Sequence, residues 1–254
     1  MDFSELSHQT EIRDSLDKIL NEHCSQELLK EYDSNFKHDA SLLSLLSSNG
    51  YLGLGLNEKY GGSGEDLYDL GILFERLGYH AAPLSLSGCL VDVAQTIQKF
   101  SNEGFCNEIL SSIIAGEIYT SAILEPSNQD PENPITTAKI KDNQLVISGT
   151  KYLSEISSMA KSVLISANSN EGVLLVLVES DKVKLTELSS TANSPLFKVE
   201  LDSVRVDRES IIHKKGRGLE ALRYLIQVNM VMRSYIALGV TEKMTSLIAG
   251  YTSE

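Results

Sequence analysis

The sequence predicts an α+β protein: an all-α bundle at the N-terminal end, a middle antiparallel β-barrel or sandwich, and a truncated C-terminal helix. Three observations carry this. Apolar residues recur at helical spacing through residue 117, alternate with period two in short runs from 118 to 217, and return to helical spacing from 218 to 254. Residues 1–117, 118–217 and 218–254 are therefore read as three domains, the last an incomplete helical one.

In the first block, Ser4 is expected to cap a helix whose face carries Ile12, Leu16, Ile19 and Leu20. Leu28, Leu29 and Tyr32 indicate a short second helix. Asp39 opens a third, with Leu42, Leu43, Leu45 and Leu46 apolar on more than one side, and Asn49-Gly50 stops it. Five glycines punctuate the loop from Tyr51 to Gly64. Asp66 caps a helix bearing Leu67, Leu70, Leu73, Phe74 and Leu77, and Pro83 breaks the pattern. Two further helices follow, one through Leu86, Leu90, Val93, Ala94 and Ile97, the other through Phe105, Ile109 and Ile113.

Candidate strands are 119–124, 135–141, 144–148, 162–167, 173–178, 183–187, 196–201 and 204–206. Asp142-Asn143 between two alternating runs reads as a tight hairpin. From Leu219 onward, Leu222, Leu225, Ile226, Ile236, Val240, Met244, Leu247, Ile248 and Tyr251 lie on or near one helical stripe. A helix of that length does not stand alone, so a partner chain or further sequence is implied.

With a net charge of −13, the 254-residue chain is a poor match for nucleic acid or an anionic membrane. It has no apolar run approaching the ~20 residues of a membrane span. Three unpaired-looking cysteines and no signal-peptide pattern suggest a cytoplasmic setting. The five histidines have no metal-ligand spacing, so no metal is expected. Lys214, Lys215 and Arg217 read as a solvated hinge before they read as a phosphate site.

Several short motifs carry a resemblance. They are Gly50-Tyr-Leu-Gly-Leu with Tyr60-Gly-Gly-Ser-Gly64, Phe74-Glu-Arg-Leu-Gly78, Ala115-Gly-Glu117, Leu124-Glu-Pro126, Ser148-Gly-Thr-Lys151, Val204-Arg-Val206, Gly216-Arg-Gly-Leu219 and Leu238-Gly239. In this order they resemble the acyl-CoA dehydrogenase family of flavoenzymes. The resemblance implies FAD as cofactor, an acyl-CoA thioester as substrate, and a homo- or hetero-oligomer with another subunit of the family. It places Ile123, Leu124, Leu153, Ser154 and Glu155 at the flavin and Ser127, Asp130, Asn229 and Met230 at the substrate.

Departures from the family pattern are equally specific. Leu124 stands where the family has a threonine, so a side-chain donor is lost while the backbone N–H remains. Asn229 stands where some members carry the catalytic glutamate, and an amide is not a base, so no catalytic residue is assigned. Three readings follow: an acyl-CoA dehydrogenase working as an incomplete or partner subunit, a non-catalytic scaffold of a heteromeric dehydrogenase, or a truncated gene product.

Overall fold

A computed structural model describes residues 5–35, 39–64, 66–141, 143–155, 158–191 and 194–252. Helices, then a sheet, then a long helix follow one another in the expected order. By contacts the chain divides into two compact units, Met1–Leu84 with Met230–Glu254, and Ser85–Asn229.

The first unit holds α1 (Ser7–His23), α2 (Gln26–Asn35), α3 (Ala40–Ser48) and α4 (Leu67–Tyr79). Ser4 lies outside the described residues; at the start of α1 the Gln9 side chain instead accepts the Leu6 N–H at 2.9 Å. Asp39 and Asp66 cap as expected, accepting from Ser41 and Leu42 and from Tyr68, which satisfies donors that a helix start leaves open. The periodic leucines become the core: Leu16, Leu20, Leu42, Leu46, Leu70 and Leu73 are all fully buried.

The final helix, α7 (Gly218–Thr252), begins in the second unit and ends in the first. Within the first unit its backbone runs very close to α4. A Cβ on Gly78 would lie 2.3 Å from the Ile236 carbonyl oxygen, and one on Gly239 would lie 1.9 Å from the Glu75 carbonyl oxygen. Part of the α7 stripe is thus spent inside the chain, at a crossing only glycine permits. Arg76, its side chain 4% exposed, reinforces it by binding Asp17 at 2.7 Å and Glu242 at 3.0 Å.

The second unit opens with a helical segment that differs from the expected form. Ser87–Gln95 is π-helical and runs into α5 (Thr96–Phe100), with α6 (Glu103–Ile114) after it. A seven-stranded sheet follows: β1 (Tyr119–Ala122), β2 (Thr137–Lys141), β3 (Gln144–Glu155), β4 (Ser162–Ser169), β5 (Gly172–Glu179), β6 (Lys184–Leu188) and β7 (Leu196–Asp207). Its interior is a cluster that includes Leu145, Ile147, Val163, Ile165, Val176, Val178 and Val199.

Three details depart from the sequence reading. The sheet is mixed: β2–β3, β3–β7, β4–β5 and β6–β7 are antiparallel, but β1 and β2 run parallel to β4. The β2–β3 hairpin lies in the connection from β1 to β4, and a long crossover is what parallel pairing needs. The expected strands 196–201 and 204–206 are one strand, because a register shift opposite β3 lets Ser203 take φ 53° without breaking the ladder. β3 likewise continues past Ser148 to Glu155. At the hairpin, Lys141 pairs with Gln144 and Asn143 takes φ 62°; Asp142 lies outside the described residues.

Candidate functional site

Where β1 ends, the chain enters Ile123-Leu-Glu-Pro-Ser127, and the far half of β3 runs beside it, with the Tyr152 N–H donating to the Leu124 carbonyl at 2.9 Å. A buried ion pair joins the two segments. Lys151 Nζ lies 2.8 Å from Glu125 Oε1, their side chains 0% and 2% exposed. Lys151 also donates to Ser166 Oγ at 2.9 Å and to the Ile123 carbonyl at 3.3 Å. Glu125 further accepts the Ile135 and Thr136 N–H groups, each at 2.7 Å, and Asn128 Nδ2 at 2.8 Å. Every lone pair and proton of consequence is used, which is the condition for two buried charges to be tolerated. Burial pushes the Glu125 carboxyl up, but Lys151 and these donors outweigh it and hold it down to about 2. Burial brings the Lys151 ammonium down to about 8 against the pull of Glu125.

Beyond Lys151 the β3–β7 register shifts again before Ser154, and Leu153 takes φ 56°. Such a bulge re-aims a side chain. Leu153 is 49% exposed and Leu124 on the adjoining segment is 48% exposed. The Leu124 N–H makes no hydrogen bond to a described residue. Ser154 turns the other way, buried, its hydroxyl donating to the Ser121 carbonyl at 2.7 Å. The Glu155 carboxylate accepts from Ser85 Oγ, and its carbonyl accepts from Thr120 Oγ1 at 2.6 Å.

Ile123, Leu124, Leu153, Ser154 and Glu155 are therefore brought together. Asn229 reaches the same neighbourhood through one link. Its Nδ2 donates to Asp92 Oδ1 at 2.6 Å, and Asp92 Oδ2 accepts from Ser121 Oγ at 2.5 Å. Asp92 sits on the π-helical turn, buried, and π-turns recur at functional sites. Asp130 is occupied within its own loop, accepting the Glu132 N–H at 3.1 Å and Asn133 Nδ2 at 2.5 Å. Ser127 is exposed with φ 61°, and Met230 is 66% exposed on α7. Lys215 and Arg217 pair with Glu171 at 3.2 Å and Glu220 at 2.6 Å.

Sequence reasoning passed over the Glu125–Lys151 pair and Asp92. The signal for the first was present: Lys151 falls on the same alternating phase of β3 as the buried Leu145 and Ile147. For the second it was a lone acid inside the apolar run Leu90-Val-Asp-Val-Ala94.

Residues 7–117 match the family model for the acyl-CoA dehydrogenase N-terminal domain. Acyl-CoA dehydrogenase FadE12 of Mycobacterium tuberculosis is 24% identical over 217 residues, covering 80% of this chain and 56% of that protein. Together these likenesses support the acyl-CoA dehydrogenase family, with residues 7–117 the part that its model matches. Among solved structures, a Tcur3481-Tcur3483 steroid ACAD variant superposes with a TM-score of 0.88 at 25% identity, over 97% of this chain and 67% of that one. The ChsE4-ChsE5 complex from Mycobacterium tuberculosis superposes with 0.91 at 22% identity, over 99% and 68%, a likeness of fold. The match to FadE12 thus spans just over half of the relative's length.

An acyl-CoA dehydrogenase fold implies FAD, and the residues present fit its ring. The Leu124 N–H is a backbone donor with no partner among the described residues, and the half-exposed Leu124 and Leu153 side chains are apolar surface of the kind a flat ring needs. The Ser154 hydroxyl does not fit that role, since it is committed to Ser121. The fit therefore rests on backbone and apolar surface rather than on side-chain donors.

Proposed function

We propose that this acyl-CoA dehydrogenase-family chain works as a subunit of a hetero-oligomeric acyl-CoA dehydrogenase, in the cytoplasm, taking part in FAD-dependent α,β-dehydrogenation of an acyl-CoA thioester. One observation carries the reading. Leu124 and Leu153 are each half-exposed and the Leu124 N–H meets no described partner, as a flavin-facing segment would require, while position 229 carries an amide that donates to Asp92 and cannot accept the α-proton. When bound, the flavin supplies the hydride acceptor. In the proposed site Leu124 and Leu153 exclude water from one side of the ring, and the Leu124 N–H donates to it. Ser121 and Asn229 hold the Asp92 carboxylate away from solvent. Ser127 and Met230, both exposed, remain candidates for contact with the thioester, and Asp130 is the weaker one because its carboxylate is used locally.

Support for an unlike partner comes from the ChsE4-ChsE5 complex among the structures of the same fold. The exposed Leu238, Val240, Met244, Leu247, Ile248 and Tyr251 of α7 point the same way. The test is purification from the native source, with flavin counted by absorbance and acyl-CoA oxidation assayed with an artificial electron acceptor. We expect co-purification with a second acyl-CoA dehydrogenase-family chain, and activity only in the assembly. Turnover by this chain alone would overturn the partner-subunit reading. An assembly with no flavin contacting this chain would favour the scaffold reading, which the inward-turned Ser154 already makes specific.

A further inference from the structure

The Ile123 carbonyl and the Leu124 N–H belong to one peptide unit, and that unit is planar, so whatever grips the oxygen also sets the direction of the hydrogen. Lys151 grips that oxygen from inside the core. The next carbonyl, that of Leu124, is held by the Tyr152 N–H at 2.9 Å. Peptide planes on both sides of Leu124 are thus fixed, and the N–H that the first of them carries is left without a described partner. Lys151 in turn cannot move, because Glu125 and Ser166 hold its other two protons at 2.8 and 2.9 Å.

We infer that Lys151, locked by Glu125, is a positioning residue for the flavin: it aims the Leu124 N–H at an acceptor atom of the ring and strengthens that N–H as a donor. This rests on the flavin reading above. The strengthening has a simple cause. A cation hydrogen-bonded to the carbonyl of an amide draws electron density from the nitrogen, and hydrogen bonds in series polarise one another. The reduced ring carries more negative charge than the oxidised ring, so it gains more from the donor. Lys151 therefore favours the reduced flavin although it never touches it.

The experiment uses the full chain in the assembly in which it purifies, with FAD as the probe. In the wild type, hydrogen exchange at the Leu124 amide should slow at least tenfold when FAD is added. Lys151→Met should weaken FAD binding at least tenfold. It should also shift the flavin midpoint potential to more negative values, by about 30 mV for each tenfold preferential loss of the reduced form. The double variant Glu125→Leu/Lys151→Met removes both charges together and keeps the question open to test if the single variant fails to fold. The assignment predicts that it binds FAD weakly and at the lowered potential. A folded double variant with wild-type affinity and potential overturns the positioning role and leaves the flavin reading standing. A wild-type assembly whose Leu124 amide is indifferent to added FAD, although FAD binds, also overturns it. Failure of the wild type to bind FAD at all overturns the flavin reading itself, and this inference with it.

Discussion

Lys151 shows how a single side chain can escape a sequence reading. A lysine in a strand is ordinarily a surface residue, and Ser148-Gly-Thr-Lys151 was legible only as a motif. Its partner lies 26 residues away, and period-two spacing says which face a residue takes but not what waits there. Truncating one member of a buried pair strands the other charge, so Lys151→Met should cost about 3–5 kcal/mol in urea unfolding. Glu125→Leu/Lys151→Met should recover part of that loss. A second residue-scale prediction concerns acid. His213 is held neutral by its surroundings: Nε2 accepts the Leu175 N–H at 3.1 Å and Nδ1–H donates to the Lys214 carbonyl at 2.9 Å. Burial lowers its pKa, and burial lowers that of His80 as well. For a group whose folded pKa is lowered, the unfolded chain takes up the proton first, so stability falls as pH drops through the unfolded value. Lys151, lowered to about 8 against 10.5, contributes first as pH falls, the histidines follow below 6.5, and Glu125, at about 2 against 4.5, continues the decline. Denaturant midpoints measured from pH 8 to pH 4 should fall throughout, and His213→Gln should remove part of the upper segment of the decline.

At the scale of elements, capping and periodicity were read directly, because both depend on neighbours a few residues apart. Asp39, Asp66 and the leucine stripes of α3 and α4 behave as local chemistry requires. What local chemistry cannot reveal is how near another backbone will come. Gly71, Gly78 and Gly239 look like ordinary helix-interior glycines, yet each would place a Cβ against the opposing helix. Gly78→Ala should therefore destabilise rather than gain the usual alanine advantage, by about 1–3 kcal/mol through overpacking. In a thermal melt that amounts to a drop of about 2–4 °C per kcal/mol for a chain of this size. An unchanged or raised midpoint would refute the close crossing. The π-helical turn was illegible for a related reason: its apolar spacing differs too little from that of an α-helix to be told apart over nine residues.

For the whole molecule, no described helix is long and apolar enough to cross a membrane, and the net charge of −13 suits neither nucleic acid nor anionic lipid. The strongest molecule-scale prediction is that assembly depends on the outer face of α7. Met244→Glu and Ile248→Glu, at positions 57% and 61% exposed, should leave the melting temperature within about 2 °C, since exposed substitutions cost little. They should reduce the assembled fraction seen by light scattering, and an unchanged particle size would remove α7 from the interface. Helical and strand periods, caps and the order of short motifs determined the fold class and carried the family resemblance, because each is written within a few consecutive residues. Tertiary structure alone decided that β1 runs parallel to β4, that Lys151 faces Glu125, that Asn229 donates to Asp92, and that the Leu124 N–H meets no described partner. Those facts depend on residues far apart in the chain being pressed together out of water, where an unpaired charge is costly and every donor direction is set by its neighbours.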